Sequence, residues 1–257
     1  MKLPHPPPGG ADLWLLRQPE PGTCTGVLDL AELDENERRR AGTCRREAGR
    51  LLYSSAHIGL RRLLGAYLDT APGALRFGRA PCPCCDRRHG RPVLQDTEST
   101  LHFSLSHGSG MALIGVSTLP IGVDVERVPT SDTARVCFPA LHPEEQSELS
   151  AGAQAGIDAI SFGQLWTRKE AYLKGLGTGL ARDLAADYLG DNADRRPADW
   201  TVLDVPCGPR HIGAVALHVV QQPVQSVTVH WLPIDSLYQG ATCVVDKQEH
   251  LLGELVA

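Results

Sequence analysis

Long apolar runs are absent from this sequence of 257 residues. No stretch approaches the roughly 18 consecutive apolar residues that indicate a membrane-spanning helix. The first ten residues, MKLPHPPPGG, also lack the apolar segment of a secretory signal peptide. The sequence also has no excess of positive charge, since its formal net charge is −5. No overall basic field therefore favours binding to nucleic acid or anionic lipid. We therefore expect a cytoplasmic protein that acts on neither membranes nor nucleic acid.

Lysine is scarce. Of 25 basic residues only four are lysines, namely Lys2, Lys169, Lys174 and Lys247. Arginine offers a planar fork for bidentate contacts, whereas lysine is a compact charge that can release a proton. Two of these rare lysines lie close together at 169 and 174, which indicates a chemical reason for them.

The hydrophobic fraction of 42% and the charged fraction of 21% are typical of a globular protein. Apolar periodicity predicts a strand over 12–16, helices over 33–46 and 50–69, and strands over 101–105, 111–117 and 121–128. A helix over 158–174 and strands over 200–205, 212–220, 227–232 and 242–246 follow. Helix followed by strands, twice, predicts an α+β protein of two similar halves, 11–120 and 121–257, after a disordered segment 1–10.

The segment IGVDVERV, residues 121–128, has the alternation of a β-strand. Asp124 and Glu126 would leave the same face with their Cα atoms roughly 6–7 Å apart. Two carboxylates this close repel each other unless a cation lies between them, and Mg²⁺ prefers such oxygen ligands. A solvated acidic face on an antiparallel strand is the alternative.

The segment WTRKEAYLKGLGTGL, residues 166–180, places Trp166, Glu170 and Lys174 on one stripe of a helix. Glu170 and Lys174 could complete a magnesium–phosphate site, because the glycines that follow let backbone approach a ligand. The alternative is an ordinary helix-stabilising ion pair, with Trp166 in the core.

The segment LHFSLSHG, residues 101–108, predicts a strand that ends in Ser106 and His107. This pair could bind an anion or belong to a hydrolase, but the G-x-S-x-G turn of the α/β-hydrolases is missing here. A structural histidine is the alternative.

Eight cysteines, which we expect to be reduced, are mostly scattered. In the loop PCPCCDRRHGRP the spacing of Cys82, Cys85 and His89 could suit zinc, with Cys84 as a fourth ligand. We favour a plain loop that leads to Arg91. The basic run at 38–40 with Arg45 and Arg46 is interpreted as a solvated helix face that could attract an acidic partner.

Together, and in this order, FSLSH, GVDVE and WTRKEAYLKGLGTGL resemble the motifs of the Sfp-type 4′-phosphopantetheinyl transferases. The resemblance covers about residues 12–232. It implies a pseudodimer of two α+β halves, each a long helix on a small, mainly antiparallel sheet, with coenzyme A bound in the cleft between them. It also implies transfer of phosphopantetheine from coenzyme A to a serine of an apo acyl or peptidyl carrier protein, with release of 3′,5′-ADP.

The resemblance assigns roles to individual residues. Asp124, Glu126 and Glu170 would hold Mg²⁺, Glu170 would take the proton of the attacking serine, and Lys174 would stabilise charge near the bond that breaks. The implied cofactor contacts are Ser106, His107 near the 3′-phosphate, Arg91, Arg50, Lys169 and Lys174. Arg45 or Arg46 could replace Arg50, and Gly108 stands where relatives often have serine.

The expected protein is a monomeric transferase that serves polyketide, nonribosomal peptide or fatty acid synthesis. Two other functions remain open from the residues themselves. One is a magnesium-dependent phosphohydrolase that uses the same carboxylates on a free nucleotide. The other is a nucleic-acid adaptor built on the cysteine and arginine segment.

Overall fold

The computed structural model describes residues 2–18, 26–95, 98–151, 156–219, 223–239 and 251–255. Its α-helices are α1 (Glu35–Thr43), α2 (Glu47–Leu68), α3 (Ser131–Cys137), α4 (Pro143–Ala151) and α5 (Ala159–Leu176). Its first six strands are β1 (Gly10–Arg17), β2 (Val27–Leu28), β3 (Arg76–Arg79), β4 (Pro92–Gln95), β5 (His102–Gly108) and β6 (Met111–Ser117). The remaining strands are β7 (Ile121–Arg127), β8 (Trp200–Pro206), β9 (His211–His218), β10 (Ser226–Trp231), β11 (Tyr238–Gln239) and β12 (Leu251–Leu255).

Capping residues determine where helices α1 and α5 begin and where α5 ends. Asp34 accepts a hydrogen bond from the Glu37 backbone N–H, and the Glu37 side chain accepts one from the Asp34 N–H, which forms a capping box at the start of α1. Asp158 caps α5 in the same position. Gly177 ends α5 in the left-handed conformation with φ 82°, which glycine adopts at little cost. The predicted strand at 242–246 lies outside the described residues.

Two sheets form the body of the protein. The first has the strand order β12-β10-β1-β6-β5, and the second has the order β7-β9-β8. Pairing is antiparallel throughout both sheets except between β1 and β10, which run parallel. The α+β class predicted from the order of elements is confirmed.

The sheets meet where β5 lies beside β7. The Ser104 hydroxyl accepts a hydrogen bond from the Val123 backbone N–H at this junction, at 3.1 Å. One apolar core joins the two sheets and includes buried side chains such as Leu13, Leu113, Val123 and Val215. Helix α2 packs on β5 and β6, and α5 packs on β7, β8 and β9. The molecule therefore has one long helix on each sheet, while a repeat relationship between the halves stays a prediction.

The predicted boundary between halves at 120/121 falls between β6 and β7. Strand β10 comes from the second half of the chain but pairs with β1 of the first, with Gly10 opposite Ser226 and Leu15 opposite Trp231. Sequence reasoning could not foresee this crossing, because the pairing partner of a strand is set by tertiary packing and not by its own periodicity.

Residues 2–10, which we predicted to be disordered, follow a defined path in the structure. The Leu3 N–H donates to the Ala66 carbonyl at 3.0 Å, and the His5 ring bonds the Tyr67 carbonyl at 2.9 Å. Prolines restrict φ and so reduce the entropy lost when this segment packs against α2. Within the described residues, no helix is both long and apolar enough to cross a membrane.

Candidate active site

A missing side chain on β7 lets α5 approach the strand. A Cβ atom at Gly122 would overlap the Ala171 carbonyl and the Gly175 N–H of the helix. Glycine at this position therefore permits backbone-to-backbone packing, and α5 lies directly against β7. This close contact brings the last turns of the helix to the next inward-facing position of the strand, which is Asp124.

Asp124, Ser106 and Lys174 form a compact hydrogen-bonded cluster. The Lys174 ammonium donates to Asp124 Oδ1 at 2.5 Å and to Ser106 Oγ at 2.9 Å. The Ser106 hydroxyl donates to the same Asp124 oxygen at 2.8 Å. Asp124 is 2% exposed, whereas the Lys174 side chain is 30% exposed. The buried carboxylate is thus held by two donors, one of which reaches toward solvent.

Glu126 and Glu170 lie near enough to Asp124 to interact with its charge. Loss of solvation raises the pKa of Glu170, and the charge of Asp124 raises it further. The pKa of Glu126 is raised by loss of solvation and then by the charges of Asp124 and Glu170, against the opposing effect of Lys174. One ammonium among three carboxylates leaves an excess of negative charge.

The second carboxylate oxygen of Asp124 is the strongest indication that this site binds a cation. Asp124 Oδ2 is buried and has no hydrogen-bond partner among the described residues. A buried, unpartnered carboxylate oxygen is costly, and such a group in a native protein calls for a missing partner. A hard divalent cation bound by carboxylates would satisfy this oxygen and offset the repulsion of Glu126 and Glu170.

A cleft of about 680 Å³ opens beside this cluster, and its size suits a nucleotide-like molecule. Lys174 stands at the cleft wall. The first half of the chain supplies most of the charged and aromatic side chains that line the cleft, and the second half adds Lys174 and residues 177–181. Those of the first half include Asp34, Glu37, Arg40, Tyr53, His57, Arg79, His89, Arg91 and His107.

Three rings form one wall of the cleft. Tyr53 and His57, one turn apart on α2, stack with ring centroids 4.2 Å apart. His107 meets the Tyr53 ring edge-on at 5.5 Å. Loss of solvation in the wall lowers the pKa of His107 to about 4, and His57 and Lys174 contribute to the same shift by charge. An anion bound at the cleft would oppose that shift, because it favours the protonated ring.

Arg91 approaches the end of α5. Its guanidinium donates to the Gly175 carbonyl at 3.4 Å. Glycine is favoured at Gly177 because its φ is positive, and a Cβ atom there would also lie a tight 3.1 Å from the Arg91 backbone nitrogen. Burial lowers the pKa of Arg91, but a guanidinium remains protonated at neutral pH. Arg91 therefore offers a permanent positive charge at the cleft.

Two residues expected to contact the cofactor lie elsewhere. The Lys169 ammonium is 2% exposed and donates to the Leu184 and Asp187 carbonyls at 2.7 and 2.8 Å. It also pairs with the fully buried Glu145 at 2.8 Å. We therefore correct the assignment of Lys169, because a shift of five residues along a helix turns it to a different face, away from Lys174.

Arg50 is the second residue that was expected to contact the cofactor and lies elsewhere. It is exposed on α2 and does not belong to the described residues that line the cleft. Arg45 and Arg46, the alternatives to it, are exposed as well and also do not line the cleft. The structure brings Arg40 of α1 to the cleft instead.

Sequence reasoning missed several residues of the cleft wall. Tyr53 and His57 are separated by four positions on a predicted helix, and this spacing could have revealed an aromatic pair on one face. Arg79 gave no such signal, because it reaches the cleft only through the pairing of β3 with β4.

Comparisons with known proteins point to a single family. The model of the 4′-phosphopantetheinyl transferase superfamily matches residues 120–200. The 4′-phosphopantetheinyl transferase HetI of Nostoc sp. strain PCC 7120 is 33% identical over 211 residues, which covers 79% of this chain and 84% of the relative. The chain belongs to the 4′-phosphopantetheinyl transferase superfamily.

Shorter matches connect the chain to further members of this transferase family. The 4′-phosphopantetheinyl transferase of Bacillus subtilis is 30% identical over 128 residues, covering 48% of this chain and 55% of the relative. The 4′-phosphopantetheinyl transferase gsp of Aneurinibacillus migulanus is 32% identical over 104 residues, covering 40% and 42%. The family resemblance drawn from GVDVE and WTRKEAYLK is confirmed, and both motifs lie inside the segment that the superfamily model matches.

Proposed function

We propose that this transferase moves the 4′-phosphopantetheine group from coenzyme A to a serine hydroxyl of an apo acyl or peptidyl carrier protein and releases 3′,5′-ADP. The observation that carries this proposal is the unpartnered, buried Asp124 Oδ2 beside Lys174 at the edge of the cleft. A site with excess carboxylate and one ammonium suits a metal-assisted transfer of a phosphoryl-type group.

Asp124, Glu126 and Glu170 would hold Mg²⁺. The fit rests on the orphaned Asp124 oxygen and on the raised pKa values of the two glutamates, which a bound cation would reverse. When bound, the ion would polarise phosphate oxygens and offset the charge that develops on them. Ser106 and Lys174 fix the first oxygen of Asp124, so its second oxygen is the one presented as a ligand.

The cleft wall would bind the nucleotide part of coenzyme A. His107 and Arg91 are proposed to contact the 3′-phosphate, and Arg40 and Arg79 add positive charge along the same cleft. A phosphate beside His107 would raise the pKa of the ring from its low value, so the ligand would bind together with a proton. Each charge-assisted contact of this kind is worth about 1.5–3 kcal/mol.

In the proposed reaction the carrier serine oxygen attacks the phosphorus that bears pantetheine. The new bond is from serine oxygen to phosphorus, and the bond that breaks joins this phosphorus to the bridging oxygen of the pyrophosphate. Glu170 accepts the serine proton, directly or through a water, because it lies beside the proposed metal and Lys174. Lys174 stabilises the charge that collects on the departing 3′,5′-ADP.

We also propose that the protein acts as a monomer in the cytoplasm. The cleft takes side chains from α1, α2, β5 and α5 of a single chain, so no second copy is needed to complete it. The carrier protein is proposed to belong to polyketide, nonribosomal peptide or fatty acid synthesis.

The test is to incubate the protein with coenzyme A, Mg²⁺ and an apo acyl carrier protein, and to weigh the carrier. We expect a gain of one phosphopantetheine group per carrier and an equal amount of 3′,5′-ADP. Asp124→Asn serves as the matched control and should give neither product. Release of nucleotide without any gain in carrier mass would contradict the proposal and favour a phosphohydrolase.

A further inference from the structure

The loop at 80–91 that joins β3 to β4 has a defined path without apolar packing to hold it. Residues 83–89 are all exposed, and Cys82 is buried beneath them. The Cys82 carbonyl nevertheless accepts hydrogen bonds from the Cys85 and Asp86 N–H groups, at 3.2 and 2.8 Å. Ordering an exposed loop costs conformational entropy, and a metal bound by its side chains would offset part of that cost.

Three possible metal ligands converge in this loop. One ligand atom each from Cys82, Cys85 and His89 lies within 4.8 Å of the other two. Cys85 Sγ and His89 Nε2 are 2.9 Å apart. In a tetrahedral zinc site with Zn–S near 2.3 Å and Zn–N near 2.0 Å, the ligand atoms are about 3.5–3.8 Å apart. Small side-chain rotations would bring all three to that distance.

The backbone also brings Cys82 and His89 close together. The Cys82 N–H and the His89 N–H both donate to the Arg87 carbonyl, each at 2.8 Å. Asp86 follows in the left-handed conformation, with φ 57°, which turns the chain back toward the cluster; aspartate is one of the few residues other than glycine that adopts it routinely. The backbone therefore holds Cys82 and His89 near each other, as the supporting shell of a metal site does.

We propose that Cys82, Cys85 and His89 bind a structural Zn²⁺ ion. Thiolate and imidazole ligands select zinc over the harder Mg²⁺, so the two metals would not compete for the same site. Water or the exposed Cys84 thiol would complete the tetrahedron. This assignment revises the plain loop that sequence spacing alone favoured.

The zinc loop is joined to the cleft by hydrogen bonds. The Arg79 guanidinium donates to the Gly90 carbonyl at 3.1 Å, and the Ala80 N–H donates to the Arg91 carbonyl at 3.0 Å. His89 itself lines the cleft. Zinc would thus hold Arg79 and Arg91 in place, and this second step rests on the proposed binding of coenzyme A.

The site is tested first by metal content, which needs no substrate. Protein without a histidine tag is saturated with Zn²⁺, desalted and analysed by mass spectrometry of the metal. We expect about one zinc per chain in the wild type and in Cys137→Ser, and a loss of at least tenfold in Cys85→Ser and His89→Ala. Cys137 is the matched control because it is a free cysteine of α3, outside the cluster.

A second measurement uses only the wild type, so its result does not depend on whether the variants fold. The wild type is stripped with a chelator and refilled with Co²⁺, whose absorption reports thiolate ligands directly. Thiolate-to-cobalt bands are expected in the wild type. Their absence, or a wild type that holds no zinc, or a Cys85→Ser variant that keeps zinc, would overturn the site.

The link to the cleft is tested separately on the stripped wild type. We expect its KM for coenzyme A to rise about tenfold, with recovery when Zn²⁺ is restored, in line with the usual effect of losing a supporting shell. An unchanged KM in protein shown to have lost its zinc would overturn the positioning role. Failure of the transferase assay in zinc-loaded wild type would instead contradict the proposed function, so the two failures are distinguishable.

Discussion

Lys169 and Lys174 lie on the same helix and have opposite environments. Lys169 is buried, and its ammonium has three oxygen partners, two of them carbonyls and one the carboxylate of Glu145. Lys174 is partly exposed and belongs to a cluster in which one carboxylate oxygen has no partner. In the first cluster every charge has a partner, and its role is to stabilise the fold. The second is incomplete, which is the property expected of a site that binds a charged ligand.

The largest expected effect tests the incomplete cluster. Asp124→Asn keeps the shape of the side chain but removes the charge, so transfer should fall by about 10³-fold, equivalent to about 4 kcal/mol in the barrier. The measurement is the rate of carrier mass gain at saturating coenzyme A. The melting temperature serves as the control and should stay close to that of the wild type. A rate within tenfold of the wild type would contradict a metal role for Asp124.

The complete cluster should respond in the opposite way. Lys169→Met leaves Glu145 buried without its cation, which costs about 3–5 kcal/mol of unfolding free energy. Urea unfolding measures this loss, and the rate per folded molecule should remain near the wild-type value. A tenfold or larger loss of rate in fully folded protein would return Lys169 to the active site.

Two substitutions of Lys174 distinguish the effect of its charge from the effect of its shape. Lys174→Ala should lower the rate per folded molecule by at least 10²-fold, about 2.7 kcal/mol. Lys174→Arg should restore only part of that rate, because a planar fork replaces a compact ammonium. If both variants were fully active, Lys174 would only pair with Asp124 of β7 and would have no catalytic role.

Contacts to the 3′-phosphate are expected to be weaker. His107→Ala and Arg91→Ala should each raise the KM for coenzyme A by an amount equivalent to about 1.5–3 kcal/mol. The comparison substrate is 3′-dephospho-coenzyme A, for which the effect should shrink because the contacted group is missing. Equal losses with both substrates would remove these residues from the phosphate site.

The smallest effect concerns repulsion among the carboxylates. In magnesium-free buffer at pH 7, Glu126→Gln should be slightly more stable than the wild type, by less than about 1 kcal/mol for this solvent-facing group. The folded-state pKa of Glu126 is raised above 4.5, so the folded state takes up a proton first as pH falls. The wild type therefore recovers stability through that window, and the difference should vanish below about pH 4.5. A difference that grows in acid would contradict the raised pKa.

Much of the fold was accessible from local patterns. Strands β6 and β7 and helix α5 appear close to their predicted bounds, because period-two and period-3.6 apolar spacing and capping residues are local signals. The pairing of β10 with β1 was not accessible, since it joins segments more than 200 residues apart.

The residues of the candidate site also fall into those that the sequence predicted and those that it did not. Asp124, Glu126, Glu170 and Lys174 lie in two short motifs whose spacing already places them on one strand face and one helix face. Lys169 was misassigned because motif matching does not distinguish the faces of a helix, whereas burial does. Arg40 and Arg79 were missed because only tertiary structure brings α1 and the β3–β4 hairpin to the cleft.

The most direct test of the incomplete cluster is the thermal unfolding midpoint as Mg²⁺ is titrated in the presence of coenzyme A. A ligand that binds only the folded state raises the midpoint with its concentration. We predict a saturable rise for the wild type and for Lys169→Arg, which keeps the buried positive charge, and no rise for Asp124→Asn. An equal rise in Asp124→Asn would show that Mg²⁺ binds elsewhere, and would contradict the assignment of the Asp124 cluster as the metal site.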